Sequence, residues 1–446
     1  MGKYIVPTND ADLPETSTRR APSRELRGLP ALDALTGFFR RNVSPQTPRR
    51  RRRWRAATVF ALAVLAIAVA ARLFAFDIRR IPTASMEPTL AGGPTSGDRV
   101  LVDRLTLLRR PPHRFEIVAF QRPGDRDREL VKRVVGLPGE RIRIVDGDLQ
   151  VNGRLLRKGG PDRKYTLVPL LRSTKHAVLD GFEFDASRVT ERADRTIVIR
   201  ATDLPERGPA GSVAVRSLLL TDGFEADDGS FHPGAQPARD LEVRCTAKLL
   251  SPSGTLYVDL REEGDVFLVD VSRGAEDAPT QIRVRRLSPV AADATTIATQ
   301  VLFDGPGPVW RRDRAMTVAL SNVDLRISLE IDGVEPTPPI DLDEITPLQR
   351  PSGELFAEPM SRVRVGAFGS DVELQSIEID RDLRYSPQGR FGIKEAFELG
   401  PDEFFVLGDR STDSDDSRDF GAVPADHLLG VVRAIVSPFA RRRWFP

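Results

Sequence analysis

The rhythm of apolar positions along the chain changes once. From 56 to 71 (AATVFALAVLAIAVAA) no charge interrupts the run, and LFAF extends it to Phe76 after Arg72. That length suits a helix crossing a bilayer core, which takes roughly 20 residues. Beyond Phe76 the pattern shortens to alternating runs bounded by Gly, Pro and Asp, the signature of strands. The first group is RVLVDRL (99–105), FEIVAFQRP (115–123), ELVKRVVGLPGERIRIV (129–145) and LQVNGRLL (149–156).

A second group fills the long middle: TIVIR (196–200), SVAVRSLLL (212–220), DLEVRCTAKLL (240–250), GTLYVDLRE (254–262) and DVFLVDVSR (265–273). TQIRVRRL (280–287), TVALSNVDLRISLEIDG (317–333), RVRVGAFG (362–369) and VELQSIEID (372–380) follow. Alternating strands at short intervals with few helical runs predict an antiparallel β-sandwich. The expected fold is therefore mainly β: one N-terminal transmembrane helix, then strands, with an antiparallel sandwich in the long middle.

Charge gives the helix a direction. Eight arginines fall between Arg40 and Arg55, whereas only Arg79 and Arg80 follow closely on the far side. The positive-inside bias puts the N-terminus in the cytoplasm and the rest of the chain outside the cytoplasmic membrane. A cleaved signal peptide ending at AVA (68–70) would need an n-region running from Met1 through Arg55, and the apolar run continues past that site. Residues 1–55 read as a disordered basic tail, in which LPALDALTGFF (29–39) allows a short surface helix.

The net charge of +2 is small and, beyond the tail, evenly spread, which argues against nucleic acid as a partner. Cys245 is the only cysteine, so no intrachain disulfide forms, and its place in a strand suits a buried small residue. His113, His176, His232 and His427 are scattered without metal-ligand spacing, and neither metal nor cofactor is expected.

Two residues carry the candidate chemistry. Lys132 sits inside an apolar strand-like run, where burial disfavours its charged form and frees it to act as a neutral base. Ser85, in IPTASMEPTL (81–90), follows closely on the apolar run. A serine hydroxyl that reaches such an amine is an activated nucleophile without a histidine. The two are far apart in sequence, so only the fold can join them.

IPTASMEPTL, GDRVLVDRL (97–105), VKRVVGLPGERI (131–142) and GDRSTDSDDSRDFGAV (408–423) occur in that order after the apolar run. Together they resemble the type I signal peptidases, membrane-bound Ser–Lys proteases that remove signal peptides from exported proteins. The resemblance implies Ser85 as nucleophile, Lys132 as general base, and Thr83 with the Ser85 backbone N–H as oxyanion hole. It implies Ser414 as the serine that orients the lysine, and Arg133, Asp409, Asp416 and Arg418 as a charged network bracing the site. It also implies one all-β catalytic domain over 77–157 and 393–446 interrupted by the sandwich at 158–392, cleavage after small residues in an Ala-x-Ala pattern, exported preproteins as partners, and a bilayer beside the site.

The chain departs from the family at Gly408-Asp409-Arg410-Ser411, where Gly-Asp-Asn-Arg is usual, and in the acidic run with Asp413, Asp415 and Asp416. An extra carboxylate near Lys132 would tend to keep it charged. The sandwich pattern is similar to concanavalin-type jelly rolls, for which a carbohydrate or polymer ligand and a purely structural role both fit. VWRRDR (309–314) around Trp310 reads as a capping strand or a binding edge. Two other readings fit less of the chain. A self-cleaving repressor-type Ser–Lys protease fits poorly with the apolar run and the Pro-Thr-Leu after Ser85. A decayed, anchored binding protein working through its sandwich has the altered Arg410-Ser411 as its support.

Overall fold

The computed structural model describes residues 48–445 apart from 173–181, 185–186, 195, 202–211, 216–219, 226–230, 233, 235–237, 263–264, 275–277, 290–296 and 343–361. Most of the expected tail, with the candidate helix at 29–39, lies outside the described residues, as does much of SVAVRSLLL. The chain divides into two compact units, Met1–Ala71 and Arg72–Pro446.

Helix α1 (Pro48–Ala75) covers the expected membrane span, except that Phe76 opens the first strand. Its first two turns are the arginine run, and Phe60, Leu62, Leu65 and Ile67 are exposed, while Ala75 at its end is buried. Among the described residues no helix is long and apolar enough to cross a membrane. The anchor expected over 56–76 thus rests on the sequence.

After α1 the structure is built of antiparallel strands. An eight-stranded sheet runs in the order β1 (Phe76–Arg80), β2 (Arg99–Asp103), Leu428–Ser437, β3 (Ile117–Arg122), β4 (Asp125–Gly136), Glu403–Leu407, Val423–Pro424, with Arg443–Trp444 added to Leu428–Ser437. Alternation sorts its side chains into two cores. Val100, Val102, Ile117 and Ala119 pack with Ile81, Met86 and Leu90, while Val118, Phe120, Val134 and Val406 form the other core. A four-stranded sheet, Phe397–Glu398 with β5 (Arg141–Val145), β6 (Asp148–Val151) and β7 (Arg154–Leu155), lies beside it. LQVNGRLL, read as one run, is a hairpin turning at Asn152-Gly153, both at positive φ (53° and 79°). Asn-Gly is the usual residue pair for such a turn.

The middle of the chain forms two facing sheets of eight and seven strands that share one apolar core, from Leu170 to Ile379. Gly254–Glu262 and Asp265–Arg273 begin and end at the expected residues. The run 317–333 instead makes two strands, Met316–Val323 and Arg326–Ile331, which turn at Asp324 and Leu325, both at positive φ. Ile297–Val309 is an edge strand that the sequence pattern hid, because its FDGPGP reads as a turn; proline is tolerated in strands mainly at edges. Trp310 forms neither a capping strand nor an exposed binding edge. It is buried in the sandwich core and donates its indole N–H to the Arg314 carbonyl at 3.0 Å. Cys245 is buried in the same core.

The sandwich strands close at Arg381, and Leu383, Tyr385 and Phe391 pack with the four-stranded sheet. The return from the insertion therefore joins the first β region about ten residues before 393. At this root Lys158 is buried and paired with Asp324 at 2.8 Å and with Asp382.

Candidate active site

Ser85 lies on a single 3₁₀ turn, Ala84–Met86, after Thr83 in extended conformation. The turn is held from both ends. Met86 and Leu90 sink into the core below, and the Ile81 amide donates to the Asp98 carbonyl at 2.8 Å. The Asp98 carboxylate accepts the Ala91 amide at 2.8 Å and is gripped by Arg441 at 3.0 Å. Asp98, in GDRVLVDRL, was not singled out in the sequence; its place after a glycine at a strand start was the available signal. Gly92 is also required, because a Cβ there would stand 2.1 Å from the Thr83 carbonyl.

Lys132 lies on β4 opposite Val118 and is 2% exposed. Successive strand residues face opposite sides, so Lys132 and Arg133 enter different surroundings. The fold brings Lys132 to Ser85: its Nζ donates a short hydrogen bond to the Ser85 Oγ. Thr83 Oγ1 stands 3.3 Å from the same oxygen. Burial pushes the Lys132 ammonium down to about 8, against the charges of Asp416, Asp409 and Asp415, which favour protonation. The acidic run noted in the sequence therefore opposes the fall without cancelling it. A sizeable fraction of neutral amine is present near pH 8.

The strand Glu403–Leu407 pairs with β4 as far as Leu407 opposite Arg133, which sets Gly408 and the following loop beside Lys132. A Cβ at Gly408 would meet the Ser414 Oγ at 2.2 Å and the Ser85 carbonyl at 2.6 Å, so only glycine fits. Ser414 differs from its expected role. It lines the same cleft, but its hydroxyl is turned against Gly408, is buried, and makes no hydrogen bond to Lys132. The hydroxyl fills the space that the missing Cβ of Gly408 leaves open.

The charged network forms as two separate pairs. Arg133 makes a bidentate contact with Asp409, at 2.8 and 2.6 Å, and donates to the Phe115 carbonyl at 2.8 Å. Thr89, on the Ser85 loop, donates to the same Asp409. Arg418 grips Asp416 at 2.9 and 2.8 Å, while Asp416 accepts the Gly408 amide at 3.0 Å and caps Ser417–Phe420. Bidentate Arg–carboxylate pairs fix geometry as well as charge. None of these four side chains touches Ser85 or Lys132 through a hydrogen bond among the described contacts.

Together these elements wall a cleft of about 740 Å³, with 79–86 on one side, 128–132 on another and 412–415 on a third. Arg79, Arg128, Glu129, Asp413 and Asp415 give its rim a mixed charge. Among the described residues no His, Cys, Asp and Glu side chains form a group that could hold a metal ion.

Residues 51–195 and 370–437 match the family model "Signal peptidase, peptidase S26". These segments include Ser85, Lys132 and the Gly408–Arg418 loop and leave out most of the sandwich. Signal peptidase I of Bacillus caldolyticus is 34% identical over 139 residues, covering 31% of this chain and 65% of that protein. Probable signal peptidase I-2 of Synechocystis is 35% identical over 118 residues, 25% of this chain and 49% of that protein. Signal peptidase I V of Bacillus subtilis is 40% identical over 91 residues, 20% and 49% respectively. The chain thus spans about half to two-thirds of these relatives' length.

Among solved structures, the Crh5 transglycosylase with NAG aligns over 54% of this chain and 90% of its own at 12% identity, with a TM-score of 0.31. The CBM2 module of the Lactobacillus casei phage J-1 evolved Dit covers 50% and 99% at 8% identity and a TM-score of 0.30. Both likenesses are too slight to bear on fold or ligand. By its matched segments the chain is similar to signal peptidases of the peptidase S26 family.

Proposed function

We propose that this chain is a serine endopeptidase that removes signal peptides from exported preproteins through a Ser85–Lys132 dyad. The hydrogen bond from the buried Lys132 amine to the Ser85 hydroxyl carries this reading. The relatives, named as signal peptidases, support the substrate class.

In the neutral state Lys132 accepts the Ser85 proton as Ser85 Oγ attacks the scissile carbonyl carbon. Negative charge then gathers on the carbonyl oxygen, and in this reading the Ser85 backbone N–H and the Thr83 hydroxyl, which stands 3.3 Å from the Ser85 Oγ, receive it; losing one such donor typically costs ~10²–10³ in rate. Protonated Lys132 returns its proton to the leaving amine, which departs with the mature protein, and the signal peptide stays as an ester on Ser85. Lys132 next takes a proton from a water that hydrolyses the ester and restores the hydroxyl. Arg133–Asp409 and Arg418–Asp416 hold the loops around this centre, and cleavage falls after small residues in an Ala-x-Ala pattern.

The run 56–76 is the anchor in this reading, with the N-terminus cytoplasmic and the catalytic domain on the other face of the membrane. An uncharged apolar run with arginines on one flank supports it. The insertion between the two catalytic segments serves as a structural part of the enzyme. The formed Ser85–Lys132 bond weighs against a decayed binding protein.

The test is cleavage of an Ala-x-Ala preprotein by the full chain in detergent. Wild type is expected to cut at that site, with Ser85→Ala and Lys132→Ala inactive. Wild-type inertness on several such substrates would overturn the proposal.

A further inference from the structure

We infer that Arg410 and Ser411, where this chain departs from the family's usual Asn-Arg, are positioning residues that tie the Ser85 turn to the returning segment of the insertion. The inference rests on the Ser–Lys reading, and names what holds that site in register.

Arg410 faces the nucleophile. Its amide donates to the Ser85 carbonyl at 3.0 Å, and its guanidinium donates to Glu87 at 2.9 Å. Glu87 also accepts the Gly92 amide at 3.3 Å, so the contact closes the base of the Ser85 loop. Ser411 faces the other way. Its hydroxyl accepts the Ser386 amide at 2.7 Å, and its carbonyl accepts Arg418 at 2.6 Å. Arg418 in turn donates to the Ser386 carbonyl at 3.0 Å, and its own carbonyl accepts the Arg390 and Phe391 amides at 2.7 and 3.0 Å. Both backbone groups of Ser386 are thus bound to the 408–418 loop.

Ser386 lies just past Asp382, whose carboxylate is locked to buried Lys158 at the root of the sandwich. Between them Tyr385 is buried and its amide donates to the Gly147 carbonyl at 2.9 Å. A continuous route therefore runs from the sandwich root through Ser386 and Ser411 to Arg410 and Ser85. The Arg410–Glu87 pair is partly exposed, so its side-chain share is small. Ser411 is the stronger member: without its hydroxyl the Ser386 N–H loses its partner. Small shifts of a reacting pair by remote substitutions can cost as much as ~10² in rate.

The test uses the full chain in detergent and two readouts, steady-state cleavage and amide hydrogen exchange. Ser411→Ala is expected to lower kcat about 10-fold with KM held within about 2-fold, and Ser411→Thr, which keeps the hydroxyl, to restore most of it. Arg410→Ala should cost about 3-fold, and the double variant less than the product of the two, as for residues acting on one path. Exchange should quicken across 81–90 in Ser411→Ala, although no described hydrogen bond joins Ser411 to that segment. Wild-type kcat in Ser411→Ala, or faster exchange confined to 386–391 and 411, would overturn the inference. Ser85→Ala is run alongside: continued cleavage there would sink the Ser–Lys reading, while the exchange result still judges the coupling.

Discussion

Among the described residues two lysines are buried to a similar depth, Lys132 at 2% and Lys158 at 3% exposure, with opposite consequences. Lys132 meets a neutral hydroxyl, and burial pushes its ammonium down to about 8. Lys158 meets two carboxylates at the root of the sandwich. Although burial is the largest influence and acts to lower it, Asp382 and Asp324 hold its ammonium well above the ordinary lysine range. Burial alone therefore does not make a lysine reactive. The charge of its hydrogen-bond partner decides between a base and a rivet.

The same substitution at both sites separates them most sharply. Lys132→Met should reduce cleavage by at least ~10³-fold, as loss of a dyad member does. Its effect on stability should be absent or favourable. The folded-state value lies below that of the unfolded chain, so below about pH 8 charging Lys132 opposes folding, and removing it removes that cost. Lys158→Met should act first on stability. It strands Asp324 and Asp382 in the interior, a change of roughly 3–5 kcal/mol, visible as a lowered thermal midpoint. Equal thermal shifts in the two variants would refute the comparison.

Converting one site toward the other is a milder test. Ser414→Asp would place a carboxylate on the loop beside Lys132 and should raise the inflection of the rate profile by about one pH unit or more. An unchanged inflection would show that partner charge does not govern this amine.

The sandwich root has its own pH signature. Burial and the neighbouring Asp324 and Asp382 push the Asp148 carboxyl up to about 7, against the pull of Lys158. Between pH 4 and 7 the folded chain then holds a proton that the unfolded chain has released, so stability falls as pH rises through that window and levels above it. Asp148→Asn should flatten this slope in a thermal-melt series. The smallest effect is expected from Asp415→Asn. Asp415 is the weakest of the three carboxylates favouring Lys132 protonation and is itself paired with Arg122 and Arg128. A downward shift of a few tenths of a unit in the rate inflection would fit it.

The two lysines were not equally legible. Lys132 stood out because a charge inside VKRVV breaks an apolar strand, and Ser85 because Ser-Met-Glu-Pro-Thr-Leu accompanies it. Lys158 and Asp382 lie where strand patterns stop, and there a charged residue looks like any linker. Strands with clean period-two alternation, such as 254–262, were readable to the residue. The turn at Asp324-Leu325 was not, because it lacks the glycine or asparagine that usually marks positive φ. The Asn152-Gly153 turn did carry that mark and was passed over. Ser414 lies in the expected cleft, but its hydroxyl sits in the space beside Gly408, a packing detail that no local pattern encodes. The apolar part of the helix, from 56 to 75, was visible in composition, while its setting was not.

The most direct test of the account is kcat/KM for an Ala-x-Ala preprotein across pH 6 to 10, in wild type and Ser85→Ala. The account predicts cleavage that rises about tenfold per pH unit, levels near pH 8 as Lys132 loses its proton, and is absent without the Ser85 hydroxyl. A profile flat through pH 8, or cleavage that survives Ser85→Ala, would contradict it.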